Sequence, residues 1–200
     1  LSRLGDEPSF PIRSFPDGSR ERVPLAVPAG ATPIAGAHGR GLVIASDAGG
    51  TFLLGDAGAQ RLSTGQPVAV GWTKVIVQEC ADDLVCVHKN ISLETLTTST
   101  VERSVSDLIG AMSSPSISPD GAGLIGQLSV VGRPDGFTEG LAYVSLAPVD
   151  GPQVVVMDAA APRKVAWSGD GDGVWLVDDD GCVAFRRASL PAAGRSCAMG

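Results

Sequence analysis

Glycines at 121, 123 and 126 spell G-x-G-x-x-G, the spacing with which a loop cradles a pyrophosphate. That chemistry needs a strand before the loop and a helix after it. Here the glycines follow Pro119-Asp-Gly and run into the apolar Leu124-Ile, so a tight turn is the expected reading. Asp170, Asp172 and Asp178 to Asp180 form an acidic cluster that superficially resembles a calcium loop. The EF-hand register and its closing Glu are missing, and turns explain these residues more simply. His38 and His88 are the two histidines, with neither His-Glu-x-x-His nor Gly-x-Ser-x-Gly present. A Ser–His–Asp triad is assembled in space, so sequence alone leaves it open. His38 in a turn and His88 beside Lys89 are expected as surface or hairpin residues. Trp72, Trp167 and Trp175 could stack on a sugar or a peptide. Asn90-Ile-Ser92 is a glycosylation sequon, meaningful in a eukaryotic secretory protein. Val130 to Glu139 reads as a long loop carrying Arg133, Asp135, Phe137 and Glu139, and it is the expected ligand-contact site. No residue is assigned to catalysis, to a metal or to a cofactor.

The four cysteines bear on compartment. Cys80 and Cys86 bracket five residues, and Cys182 and Cys197 lie 15 apart. Four cysteines permit three connectivities. The favoured one is local: Cys80–Cys86 across a tight hairpin, and Cys182–Cys197 tying the tail to the last hairpin. At least one disulfide is expected, hence an extracytoplasmic domain, whether periplasmic, cell-surface or secreted. The competing reading is four buried thiols. No Cys-x-x-Cys is present to suggest zinc.

The 200 residues are 44% hydrophobic, with mean hydropathy +0.19, enough for a substantial core. Gly and Pro together make a fifth of the chain, short of low complexity. Net charge −7 and a pI near 4.7 repel phosphate backbones, which argues against nucleic acid. No run approaches 18 apolar residues, so no membrane-spanning helix is expected. The chain opens on Leu1 without a signal segment and reads as an excised or processed piece, with any anchor upstream.

These residues must be positioned by short elements. Leu42-Val-Ile-Ala, Thr51-Phe-Leu-Leu, Val75-Ile-Val and Val154-Val-Val-Met are strand-like, and Asp-Gly or Asp-Asp turns bound them. Over 99–112, Ser99 and Glu102 fit a capping box, with Val101, Val105 and Leu108 on one helical face. The β-branched run from Thr95 to Thr100 favours an outer strand and connector instead. Four segments share one grammar, opening at Pro33, Pro67, Pro115 and Pro162, which lie 34, 48 and 47 residues apart. Each reads as three or four antiparallel strands that must stack on neighbours to be covered.

Ser116-Ile-Ser-Pro-Asp-Gly-Ala-Gly-Leu-Ile-Gly and Val165-Ala-Trp-Ser-Gly-Asp-Gly-Asp-Gly-Val-Trp-Leu resemble the W-S-P-D-G-x-x-[IL]-x-[VF] segment of TolB-like and WD40-like β-propeller repeats. The resemblance spans about 33–187 and is degraded at Gly71-Trp-Thr-Lys and Ala37-His-Gly-Arg-Gly. It implies an all-β fold of propeller-type blades, each an antiparallel four-stranded meander. The segment would supply the innermost strand, its turn and the start of the next strand. Trp72 and Trp167 then share a position that packs between blades. The expected organisation is an irregular segment over 1–30, then blades over about 31–66, 67–112, 113–160 and 161–200. The fourth unit lacks a clear outer strand, which Arg20 to Val27 could supply. A closed four-bladed ring and a part of a larger propeller both stand.

Function follows less directly, because propellers host binding, scaffolding and catalysis alike. The expected role is a non-enzymatic, extracytoplasmic domain that binds a protein or a cell-envelope ligand. Two alternatives remain: an accessory segment of a larger propeller or complex, and a hydrolase or lyase using acidic residues near a central channel.

Overall fold

The computed structural model describes residues 12–14, 19–22, 26–27, 29–37, 41–46, 49–81, 85–133, 136–146, 154–158, 164–177 and 181–187. Strands β1 (Ile12–Ser14) and β2 (Arg20–Arg22) form a two-stranded ribbon. The first sheet holds β3 (Ala31–Ala37), β4 (Gly41–Ser46), β5 (Thr51–Gly55) and β6 (Gly58–Ser63). The second holds β7 (Gln66–Val70), β8 (Lys74–Cys80), β9 (Cys86–Ser92) and β10 (Thr98–Thr100). Helix α1 (Arg103–Gly110) leads into the third: β11 (Met112–Ile117), β12 (Gly123–Arg133), β13 (Gly136–Ser145) and β14 (Val154–Asp158). The fourth holds β15 (Lys164–Trp167), β16 (Gly173–Val177) and β17 (Val183–Arg187). In every sheet the order in space follows the order in the chain. That meander is the consequence of short β-branched runs separated by turn residues. The fold is all-β, built of propeller-type antiparallel blades, as the sequence predicts.

Two compact units divide the chain. The first comprises residues 1–70 and 75–99. Its strands β4 and β5 bury side chains on both faces. Val43 and Leu53 join Val75, Val77, Ile91 and Leu93. Leu42, Ile44 and Leu54 enclose Val27 on the other side. The second unit comprises 71–74 and 100–200, with a core of Ile125, Leu141, Val174 and Leu176, against which Tyr143, Val165 and Trp167 pack.

Three expectations are corrected here. The 99–112 stretch is both strand and helix: β10 ends at Thr100 and α1 begins three residues later. Ser99 stays in the strand, so the capping box does not form, and Glu102 at the N-cap makes no side-chain cap bond. Burial of Val105 and Ile109 stabilises a helix too short to stand alone. Arg20–Arg22 pairs with Ile12–Ser14, not with the fourth sheet: Ile12 faces Arg22, Arg13 faces Glu21 and Ser14 faces Arg20. Finally, the supposed loop from Val130 to Glu139 is ladder: β12 and β13 continue through Val130↔Thr138 and Ser129↔Glu139 to Arg133↔Gly136. β-prone residues on both strands extend the ladder to Arg133 and Gly136.

Candidate functional site

The fourth sheet is positioned by its first turn. The Ser168 N–H donates to the Gly173 carbonyl at 2.9 Å, and the Gly173 N–H returns a bond to Ser168 Oγ at 3.1 Å. Gly171 N–H donates to Ser168 O, and Asp172 N–H to Asp170 Oδ1, both at 3.1 Å. The third sheet repeats this set over 118–123, where Ala122 N–H donates to Asp120 Oδ1 at 2.9 Å. Gly121 and Gly171 sit at φ +73° and +79°, which L side chains avoid. The glycine spacing at 121–126 and the pair Asp170 and Asp172 are therefore turn chemistry. Asp178 to Asp180 lie outside the described residues.

The turns hold their carboxylates ionised. Burial pushes the Asp120 carboxyl upward. The Ser118 hydroxyl (2.5 Å), the Ala122 N–H and the Lys74 charge outweigh it and hold the group below the usual range. The Ser168 hydroxyl and the Asp172 N–H do the same for Asp170. A folded value below the unfolded one gives stability that is present above the unfolded value and lost as pH falls through the folded one. Stability therefore drops below about pH 4. The Asp120→Asn chain is expected to lose less on acidification than the parent in urea unfolding between pH 5 and pH 3; parallel losses would show that Asp120 is not linked.

Turn length explains one wrong placement. In the third and fourth sheets Ile117↔Leu124 and Trp167↔Val174 close a six-residue turn. In the second sheet Val70↔Val75 closes a turn two residues shorter. The counterpart of Trp167 is thus Val70, and Trp72 stands in the turn, 53% exposed. Trp167 does pack as expected, edge-on to Tyr143 with centroids 6.4 Å apart, its indole N–H donating to Ser116 O at 3.2 Å.

The site itself is one face of the fourth sheet. The ladder sets Ala166 beside Trp175 and Trp175 beside Phe185, with Val177 beside Val183 in the next row on that face. Trp175 is 49% exposed, Phe185 37% and Val183 51%. The two rings touch across the strands at 5.0 Å between centroids. Exposed Lys164 and Arg187 stand on the same strands. On the opposite face Val174, Leu176 and Ala184 are buried. Arg186, next to Phe185, donates Nη1–H to the Phe185 carbonyl at 3.2 Å. Its Nε and Nη2 are buried with no hydrogen-bond partner. Aromatic side chains on a half-wet sheet surface bind apolar or amphipathic partners; this arrangement offers contact area and hydrogen-bond donors, not a nucleophile or a general acid.

The other predicted residues are placed as follows. Arg133 ends β12, and Phe137 and Glu139 lie on β13, so the structure sets them on one hairpin; Asp135 lies outside the described residues. His88 is 4% exposed on β9, not a surface residue, because the strand carries buried side chains on both faces, His88 on one and Ile91 on the other. His38 lies outside the described residues. Asn90 also sits on β9, its side-chain oxygen buried. Lys89 pairs with Glu79, and Ser63 Oγ donates to Glu79 Oε1 at 2.5 Å. Lys89, then Ser63, hold that carboxyl low despite its partial burial. A shallow cleft of about 280 Å³ between Leu53, Gly55–Gln60 and Leu96 falls below the size of most ligand pockets.

Cys80 and Cys86 are joined across the β8–β9 hairpin, as expected. Cys182 is disulfide-bonded too, while Cys197 lies outside the described residues. Closing a loop this short restricts the unfolded chain modestly, so Cys80→Ser with Cys86→Ser is expected to cost about 2 kcal/mol. Urea unfolding checks this, and no loss would show that the hairpin holds without its bridge.

Sequence comparison is silent: no family model matches the chain, and no curated protein matches it. Solved structures are more informative. TolB from Acinetobacter baumannii matches over 90% of this chain and 57% of its own, at 11% identity and TM-score 0.43. A TolB-type protein from Agrobacterium tumefaciens matches over 92% and 72%, at 15% identity and TM-score 0.50. The fold is a TolB-like β-propeller fold. A 6-phosphogluconolactonase-type protein from Bacteroides uniformis aligns over 96% and 70%, at 13% identity and TM-score 0.42. The chain thus spans little more than half the length of the Acinetobacter protein.

Sequence reasoning missed Val183, Phe185 and Arg186. One signal was present: Cys182-Val-Ala-Phe is apolar at consecutive positions, a pattern that asks for cover on both faces of the strand.

Proposed function

We propose that this chain is a non-enzymatic binding module of an extracytoplasmic compartment, and that a protein partner seats on the open face of the fourth sheet. The observation that carries the reading is the exposed Trp175–Phe185 pair with Val183 beside it. Contiguous apolar surface of this kind marks an interaction site. These side chains are already about half buried, so a partner that covers them gains about 1 kcal/mol from each. Disulfide-bonded Cys80, Cys86 and Cys182 support an oxidising compartment. Glu79, Asp120 and Asp170 are all held ionised, the opposite of what a general acid needs, which weighs against the hydrolase or lyase reading. The hairpin residues Arg133, Asp135, Phe137 and Glu139 are a second contact element in this proposal.

The same open face favours one other reading, an accessory propeller segment whose uncovered sheet meets another sheet. The test runs the parent chain beside a Trp175→Ala/Phe185→Ala chain in parallel capture from a cell-envelope extract, with sedimentation of each chain alone. A protein held by the parent and released by the double substitution supports the binding module. Self-association of the parent that the substitution abolishes supports the accessory segment instead. Identical capture by both chains overturns the assignment of this face.

A further inference from the structure

We propose that Arg186 is a carboxylate-binding residue. Three observations converge on its guanidinium. The Nη1–H donates to the Phe185 carbonyl at 3.2 Å. Nε and Nη2, the two nitrogens that share the other edge, are buried and without a partner. The backbone of Arg186 is held opposite the fully buried Val174, so the side chain starts from the covered face of β17, not from the Trp175–Phe185 face. Buried N–H donors on a fixed cation are costly to leave unmade, and an acceptor that supplies both bonds relieves that cost.

The geometry selects the acceptor. A guanidinium edge presents two parallel N–H groups that match the two oxygens of one carboxylate. With Nη1 donating to the Phe185 carbonyl, a single planar monoanion supplies the two bonds that Nε and Nη2 lack, and one N–H on each Nη is left for other acceptors. A phosphate dianion brings further oxygens and a second charge into a chain whose net charge is already −7. The nearest turn adds to that repulsion, because it carries the ionised Asp170 and the exposed Asp172. The carboxylate comes either from a free small acid or from a Glu or Asp side chain of a peptide. The proposal does not depend on what covers Trp175 and Phe185.

The direct test is the Arg186 Nε–H signal in ¹⁵N spectra of the full chain, identified by its loss in Arg186→Lys. Sodium acetate and the peptide acetyl-Gly-Glu-Gly-amide are titrated at constant ionic strength, with sodium chloride and inorganic phosphate as controls. A saturable shift with both carboxylates is expected, and the backbone amide of Val174, opposite position 186, is expected to report about tenfold weaker binding in Arg186→Lys, where the fork is lost. A shift with the peptide alone upholds the proposal and names the peptide as the source. No saturable shift with either, or an equal shift with chloride or phosphate, overturns it. Thermal unfolding of the unsubstituted chain in acetate against chloride gives a second reading that needs no variant: a higher midpoint in acetate is expected, and equal midpoints count against the site.

Discussion

Trp175→Ala combined with Phe185→Ala is expected to weaken partner capture by about 100-fold or more, the range for two aromatic anchors at the centre of an interface. The physical basis is asymmetric exposure. Both rings already touch one another, so the face is organised before a partner arrives and little side-chain freedom remains to be lost on binding. Both are partly open to water, so docking removes apolar area that folding left exposed. For the same reason the chain's own stability changes little. The cross-strand pair contributes about 1 kcal/mol to the sheet. A variant that unfolds at nearly the parent urea concentration yet loses its partner is the expected result. A variant that loses stability by several kcal/mol would mean that the rings serve the core instead.

Gly173→Ala is expected to have the largest effect on the fold, about 3 kcal/mol. A Cβ at Gly173 would lie 2.2 Å from the Arg186 carbonyl oxygen and 2.7 Å from the Phe185 ring. The ring can turn away. The carbonyl belongs to the β16–β17 ladder, where Gly173 pairs with Arg187 and Val174 with Arg186. Relieving the contact means parting the strands that carry the site, so stability and binding fall together. Gly169→Ala is the matched control: nothing lies within 4 Å of its Cβ position, and its cost is expected within about 0.5 kcal/mol. Guanidinium unfolding of the two variants beside the parent decides the matter, and equal stabilities would contradict the close approach.

The parts of this fold legible in the sequence are those whose cause is local. Ser118 to Gly123 and Ser168 to Gly173 declare their turns because the hydroxyl, the carboxylate and the positive-φ glycine that make the turn are all within six residues. Cys80–Cys86 was legible for the same reason. Trp72 misled because a matching tryptophan outweighed a turn two residues shorter, which only the pairing of Val70 with Val75 reveals. His88 and the α1 segment were decided by burial, a tertiary matter that propensity does not contain. The candidate site was the least legible part. Trp175, Val183 and Phe185 have the composition of strands covered on both faces, like β4 and β5, and nothing in their neighbours states that one face stays open. Arg186 carries no motif at all. Its significance lies in two nitrogens that the fold buries without an acceptor.

Hydroxyl-radical footprinting of the unsubstituted chain tests the central claim most directly, because it reads the β16–β17 register and the open face in one experiment. Alternation along both strands is predicted, with rapid oxidation of Trp175, Val183 and Phe185 and protection of Val174, Leu176 and Ala184. Protection of Trp175 and Phe185 equal to that of Leu176 in the free chain would mean the face is already covered, and would contradict the account.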